Sequence, residues 1–453
     1  MTTEYVLGVR FGYGHGPHTV PQSADTMIRS ARAPDAIATR YPVVPFREAM
    51  KLERMRHAAQ LAANKGDETA MARVSDLRKQ LRAAPIKSMR AAFARILDAK
   101  SPLRERLTWF WADHFTVAGR NIAQRAGSAG YVDEAIRPHV TGRFADMLKA
   151  VSQHPAMLAY LDQHVSIGPD SAVGQRRNRG LNENYARELL ELHTLGVDGA
   201  YTQQDVRAAA ELLTGLTLTK SRDFAFRSAI AQPGPETVLG TTYGTDAAAQ
   251  LSDIEGFLDD LARDPQTIDH LATKLAVHFV SDDPPAELTR DIAATWRDTD
   301  GDLAAVTSTL VNHKLAQRHQ PDKVKTPITF MASVMLALGL RGADIAALRL
   351  RDVSRRFGAP LQTMGQPFLG APGPDGWSED PADWITPQGL AARIGWATWA
   401  VKTWGQDIAD PRAFLARTLP TADGGALRFA VGGAETRADA LTLVLASPEF
   451  NRS

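Results

Sequence analysis

Gly180-Leu-Asn-Glu-Asn-Tyr-Ala-Arg-Glu-Leu-Leu-Glu-Leu-His-Thr-Leu-Gly-Val-Asp-Gly199 decides how this chain folds. Its centre is built from strong helix formers, and the repeating leucines predict a helix. In that helix Asn184, Arg187, Glu188 and Glu191 fall at offsets of three, four and seven residues and share one face. Leu189, Leu190, Leu192 and Leu195 fill much of the remaining circumference, so the polar stripe is expected to lie at least partly out of water. Arg187 then needs a counter-charge, and Glu183 and Glu191 each stand one turn away.

Outward from this segment the same composition continues, and helix starts recur. Ser101-Pro102, Asp264-Pro265, Thr326-Pro327, Thr386-Pro387 and Asp410-Pro411 each place a side-chain acceptor at an N-cap with proline first in the helix. Thr202-Gln-Gln-Asp205 resembles a capping box. The fold class is therefore all-α, a large multi-helix domain with a small β-hairpin insertion near residues 220–242. That insertion is read from Phe224-Ala-Phe226, the Pro233-Gly-Pro235 turn and Thr237-Val-Leu239. It divides a helical region 1–217, which carries the Asn-Glu-Asn-Tyr-Ala-Arg-Glu helix, from a short β excursion 218–245 and a helical region 246–453. The halves are expected to form one compact unit. Within the second half, 358–384 is a Gly/Pro/Trp-rich loop, and near the start Tyr5–Val9 is strand-like.

The 453 residues are 44% apolar and 23% charged, with 52 Lys+Arg against 51 Asp+Glu, which excludes global disorder and removes any net-charge argument for a nucleic-acid partner. No cysteine is present, so thiolate zinc sites, iron–sulfur clusters and Cys nucleophiles are ruled out. Between Arg47 and Arg104 there are 14 Lys+Arg against 6 Asp+Glu, without an aromatic residue between Lys51 and Arg90 to stack bases. A solvated helix face or an anionic contact both fit that excess. The longest apolar stretch, Ile328–Leu340, is too short to cross a membrane. The N-terminus shows no basic region followed by an apolar core, so the chain as written is expected to be soluble and cytoplasmic.

Several residues could carry chemistry. Glu188 and Glu191 could act as a general acid/base pair or bind a hard cation, with Arg187 as orienter or anion clamp; the same stripe could equally be an internal ion-pair and capping network. His114, in Trp109-Phe-Trp-Ala-Asp-His-Phe115, and His154, in Ser152-Gln-His-Pro155, could join them or serve as core or capping residues. His114, His154, Glu188, Glu191 and His193 are metal-ligating types with no paired ligand spacing, so no stoichiometric metal is expected. Asn184, Gln366, Trp377 and Arg393 are the substrate-binding candidates; Gln366 and Trp377 lie in a loop whose prolines, glycines and aromatics suit a ligand-facing lid or a pinned structural loop. Gly12-Tyr-Gly-His-Gly16 is not a Gly-x-Gly-x-x-Gly fingerprint.

Taken together, Trp109–Val117, His154–Asp162, Gly180–Gly199, Tyr201–Val206, Lys274–Pro285, Lys323–Pro327, Met364–Trp377 and Ser447–Phe450 resemble a bacterial family known as a domain of unknown function, DUF1800, over roughly residues 100–453. The resemblance implies a predominantly helical protein, often exported by a signal peptide and often encoded beside a sulfatase-like family that could supply a partner protein. This sequence departs from that pattern in lacking the export signal and a His-Asp pair near Ala231-Gln232. Two functions are compatible with these observations. One is an enzyme, a hydrolase on a polar or anionic polymer, using Glu188, Glu191, Arg187, His154 and His114. The other is a non-catalytic binding or assembly protein that works with a partner; neither reading calls for nucleic acid or membrane.

Overall fold

The computed structural model describes residues 2–177, 180–246, 249–318, 323–420 and 425–453. Among them helix dominates, and strand is confined to four three-residue segments. The chain is all-α with small hairpins, as the capped, leucine-rich segments require. All five proline-led starts are capped as read: Ser101, Asp264, Thr326, Thr386 and Asp410 accept from Arg104, Gln266, Thr329, Gly389 and Arg412 backbone N–H groups. Thr202 and Asp205 form the reciprocal box. No helix among the described residues is long and apolar enough to cross a membrane.

Three local readings change. Thr3–Arg10 is a helix, not a strand, because Val6, Leu7 and Arg10 recur at helical spacing and bury together, and tertiary burial outweighs the β-preference of Tyr5 and Val9. The β excursion is two hairpins. β1 (Leu216–Leu218) pairs antiparallel with β2 (Phe224–Phe226), matching Leu216 to Phe226; β3 (Glu236–Val238) pairs with β4 (Thr241–Tyr243), matching Val238 to Thr241. The Pro233-Gly-Pro235 turn lies between the hairpins. The second hairpin turns at Leu239-Gly240, both at positive φ (52° and 79°), and Leu239 N–H is held at 2.8 Å by Asp205 Oδ1. Lastly, the Gly/Pro loop starts later than composition suggests, since Ser354–Gly358 and Ala359–Thr363 remain helical and carry Leu361 into the core.

The core forms two large clusters. One runs from Leu7 to Ala316 and includes Phe110, Trp111, Phe115 and Phe144; the other joins Tyr13 and Phe93 to Phe357, Trp396 and Phe450. Both clusters draw on N-terminal and C-terminal halves. Helix Pro102–His114 lies at their seam: Phe110 and Trp111 enter the first cluster while Trp109 packs on the second. The basic excess of Arg47–Arg104 falls mainly on helices Phe46–Ala63 and Glu68–Asp98, where Arg73, Arg78, Lys79, Arg82 and Lys87 are exposed.

Candidate functional site

At that seam a cleft opens. Its floor comes from helix Pro102–His114, on which Arg106, Trp109 and Asp113 share a face at offsets of three and seven residues. One wall is helix Pro265–Phe279, whose His270, Lys274 and His278 recur every four residues; His278 lines the cleft directly. The opposite wall is the stretch from Gln366 to Glu379, and Tyr13 with Thr329 closes the inner end. The enclosed volume is about 70 Å³, room for part of a ligand.

The loop is seated on Asp113. Gly376, at φ 86°, approaches so closely that a Cβ would stand 2.7 Å from the Asp113 carbonyl oxygen. Only glycine accepts both the conformation and the contact. The next residue, Trp377, donates its backbone N–H to Asp113 Oδ1 at 2.9 Å, and its ring packs 6.0 Å from Trp384.

Two carboxyl groups in the cleft live in opposite surroundings. Burial is the main influence on Asp113 and pushes it up to about 7, with the Glu379 and Asp375 charges adding to the rise and the Trp377 N–H and Lys274 opposing it. Glu379 is also pushed up by burial, but His278 and Lys323 overcome that and hold it at about 2. His278 Nδ1 meets Glu379 Oε1 at 2.6 Å, and Lys323 Nζ donates to Oε2 at 2.8 Å while also pairing with Asp282. Burial lowers the His278 pKa, so at neutral pH the imidazole is neutral, donates Nδ1–H to Glu379, and leaves Nε2 as an acceptor.

Behind Asp113 lies a cationic and imidazole layer. Lys274 Nζ donates to His114 Nδ1 at 3.2 Å, and His114 Nε2 stands 3.2 Å from the His193 carbonyl. An ammonium can only donate and a carbonyl only accept, which fixes His114 as the Nε2–H tautomer. Burial depresses His114 well below its usual range, His193 to about 3 and His270 to about 4, with Lys274 adding to each. His193 is fully buried, and neither of its ring nitrogens has a hydrogen-bond partner among the described residues.

The structure distributes the sequence candidates among several places. Gln366 and Trp377 line the cleft; Gln366 Oε1 accepts from Ile328 N–H at 2.9 Å, leaving its amide N–H₂ available. His114 supports Lys274 beneath the cleft. Glu188 is half-buried and its pKa is raised by burial first and then by Glu191, with Asp375 of the cleft loop contributing, which puts it within electrostatic reach of the rim. Arg187 pairs with Glu183 at 3.4 Å and donates to Gln203 at 3.0 Å; at 40% and 33% exposure this is a surface pair, so the stripe is wetter than the leucines suggest. Tyr201 senses Glu191 beside it. Asn184 is exposed and donates to Leu161 O at 3.3 Å. His154 is the N-cap of helix Pro155–Tyr160: Nδ1 accepts from Ala156 N–H at 3.1 Å and Nε2 faces Glu134 at 3.1 Å. Arg393 is buried in the core, donating to Lys325 O at 2.7 Å and Asn451 Oδ1 at 3.2 Å.

Asp113, Lys274, His278, Lys323 and Glu379 were not singled out by sequence reasoning. The available signals were Asp113 in phase with Arg106 and Trp109, and the four-residue step from Lys274 to His278.

A comparison with known families completes the picture: the family described as "Protein of unknown function (DUF1800)" matches residues 7–452. The chain belongs to the DUF1800 family. No curated protein and no solved structure matches it. In this DUF1800 chain four of the resemblance-bearing stretches, Trp109–Val117, Lys274–Pro285, Lys323–Pro327 and Met364–Trp377, meet at the cleft. At the site of the missing His-Asp pair, Gln232 instead ties the 168–170 loop through Asp170 at 2.9 Å.

One trio, Glu287, Asp291 and His313, places possible metal-ligand atoms within 4.8 Å of one another. Its imidazole is committed elsewhere. His313 Nδ1 accepts from Leu315 N–H at 3.2 Å, so Nε2 carries the proton and faces Asp291 at 3.3 Å, while Lys314 neutralises Glu287 at 2.8 Å.

Proposed function

We propose that this DUF1800 protein is a hydrolase that cleaves a polar polymer, with Asp113 as the acid and the Glu379–His278 pair as the base. The observation that carries the reading is one cleft in which two carboxyl groups are driven apart, Asp113 keeping its proton near neutrality and Glu379 pinned as an anion against His278 and Lys323. His278 Nε2 takes a proton from the attacking water as the water oxygen bonds to the electrophilic centre. The bond to the leaving group breaks, and Asp113 protonates the departing atom. Glu379 then faces the imidazolium formed on His278 and stabilises it. Exchange with solvent returns both groups to their starting states.

The substrate class follows from the walls. Trp109 and Trp377 offer flat aromatic surfaces, and Arg106, Thr116 and the Gln366 amide supply polar contacts, a combination suited to a saccharide-like chain. Glu188 and Arg187 take the role of rim contacts for the chain beyond the cleavage point. The test is release of new chain ends from a panel of neutral and acidic polysaccharides. Asp113→Asn and His278→Ala are expected to lose about 100-fold or more in rate with circular dichroism unchanged. Equal turnover in both variants, or none with any polymer, overturns the proposal.

A second reading is favoured by Ile385, Leu390 and Ile394, which are 39%, 37% and 41% exposed and follow Trp384, the neighbour of Trp377. In it a sulfatase-like partner docks beside the loop, and the cleft only holds the chain. Full activity of a reconstituted pair containing Asp113→Asn would favour that reading.

A further inference from the structure

On the far side of Tyr13 lies a second cavity, of about 200 Å³, walled by Val6 and Val9 of helix Thr3–Arg10, Lys325, Ser333, Thr418 and Phe450. Tyr13 lines both spaces. This second space plays no part in the chemistry proposed for the cleft.

Two independent features set it apart. The first is a set of bare hydroxyls: Tyr13, Ser333 and Thr418, on three different segments, are 2%, 2% and 5% exposed, and none of the three side-chain oxygens has a hydrogen-bond partner among the described residues. Buried hydroxyls are almost always paired with protein, water or ligand. Three that converge on one cavity need an occupant with polar atoms.

The second feature is charge. Lys325 is buried, donates to Phe450 O at 2.7 Å and lies 4.4 Å above the Phe450 ring. Its electrostatic neighbours are Arg106 and Arg393, both buried cations. Among the described residues no carboxylate stands within ion-pair distance of any of the three. Burial and these two arginines lower the Lys325 amine to about 7, the direction expected where a cation lacks a counter-charge. Of the other ionisable side chains in the lining, Glu449 and Arg452 are exposed and of opposite sign, His15 is buried against Tyr5 O, and Arg10 is a buried cation that donates to the Ala316 carbonyl, so the interior balance is positive.

We infer that this cavity binds a small carboxylate, its oxygens held by Lys325 and the hydroxyls of Ser333, Thr418 and Tyr13, and its few carbons packed against Val6, Val9, Leu419 and Phe450. The ligand supplies the missing negative charge and the missing hydrogen-bond partners together. Hydroxyls orient a carboxylate while the ammonium fixes its charge. The apolar part of the lining selects a molecule with a short hydrocarbon body over a bare inorganic anion.

Thermal unfolding and titration calorimetry of the full chain test this with butyrate, butyramide and inorganic phosphate as probes. Butyrate is expected to raise the unfolding midpoint in a concentration-dependent way, as a ligand of the folded state does, while the neutral isostere butyramide has no effect. Lys325→Met should abolish the butyrate response, and Ser333→Val, which removes only an unpaired hydroxyl, should weaken butyrate binding at least tenfold while leaving the midpoint in anion-free buffer close to that of the wild type. Should Lys325→Met fail to fold, Ser333→Val alone decides. A response to phosphate but not butyrate overturns the carboxylate assignment. So does a butyrate response that survives both substitutions, or a midpoint that no anion moves.

Discussion

The backbone N–H of Trp377 meets Oδ1 of Asp113 at 2.9 Å, joining the aromatic loop to the floor of the cleft at a carboxyl group that burial pushes up to about 7. The seating of the loop and the protonation of Asp113 are therefore linked. The loop excludes water, which raises the pKa, while the N–H it contributes favours the anion and moderates that rise.

Asp113 has a clear stability signature. Its folded pKa of about 7 exceeds an unfolded value near 3.9, so the stabilisation is complete below about pH 4 and is lost as pH rises toward 7. Asp113→Asn keeps a neutral group at every pH. The variant should match the wild type near pH 4 and become progressively more stable than it up to pH 8, by as much as a few kcal/mol at about 1.4 kcal/mol per unit of displacement. Urea denaturation at pH 4.5, 6 and 8 measures the gap, and a gap independent of pH contradicts the assignment.

Glu379 behaves in the opposite sense. Its folded pKa of about 2 lies below an unfolded value near 4.3, so its stabilisation is present above pH 4.3 and is lost as pH falls toward 2. Glu379→Gln should destabilise by about 1–3 kcal/mol at pH 7, with the gap closing in acid; a side chain one-third exposed places the cost at the lower end. The same denaturation series, extended to pH 3, checks it.

How much of this was legible in the residues depends on distance along the chain. Ser101, Thr326 and the Thr202–Asp205 box act within four residues, so caps and helices could be read directly. Tyr5–Val9 misled because five residues carry β-preference and too little periodicity to reveal that Val6 and Leu7 bury against distant helices. The Asp113–Trp377 bond spans 264 positions and the Lys274–His114 contact 160, and no local spacing encodes either. The Glu188 stripe looked more promising than Asp113 because its charges sit one turn apart on one helix, whereas Asp113 gains its character from a loop contributed by another part of the chain.

Arg187 separates these two kinds of residue experimentally. Its pair with Glu183 is exposed, so Arg187→Ala should cost about 1 kcal/mol or less, measured by chemical denaturation. A larger loss would mean that the polar stripe is buried in solution.

Arg393 should show the reverse. It is 0% exposed, bonds to Lys325 O and Asn451 Oδ1, and lies 5.1 Å over the Phe330 ring, so Arg393→Ala removes packing and leaves two acceptors bare. A loss of about 3 kcal/mol or more in denaturation is expected. Near-wild-type stability with impaired ligand binding would return Arg393 to the substrate-binding role its neighbourhood in the sequence suggested.

Metal content can be argued from a single imidazole. Glu287 and Asp291 are one turn apart on helix Ala286–Asp298 and would make a chelating pair if His313 offered a lone pair to the same point. The Leu315 N–H holds Nδ1, so Nε2 must carry the proton, and binding there would require the imidazole to give up its bond to Leu315 and reverse its tautomer. Lys314 competes for Glu287 as well. The protein purified without chelator is expected to carry no stoichiometric zinc, manganese or iron at this trio, and His313→Ala should leave zinc affinity in titration calorimetry unchanged. One zinc per chain by elemental analysis, lost on His313→Ala, would show that the cation outbids the Leu315 bond and would make this helix face a metal site.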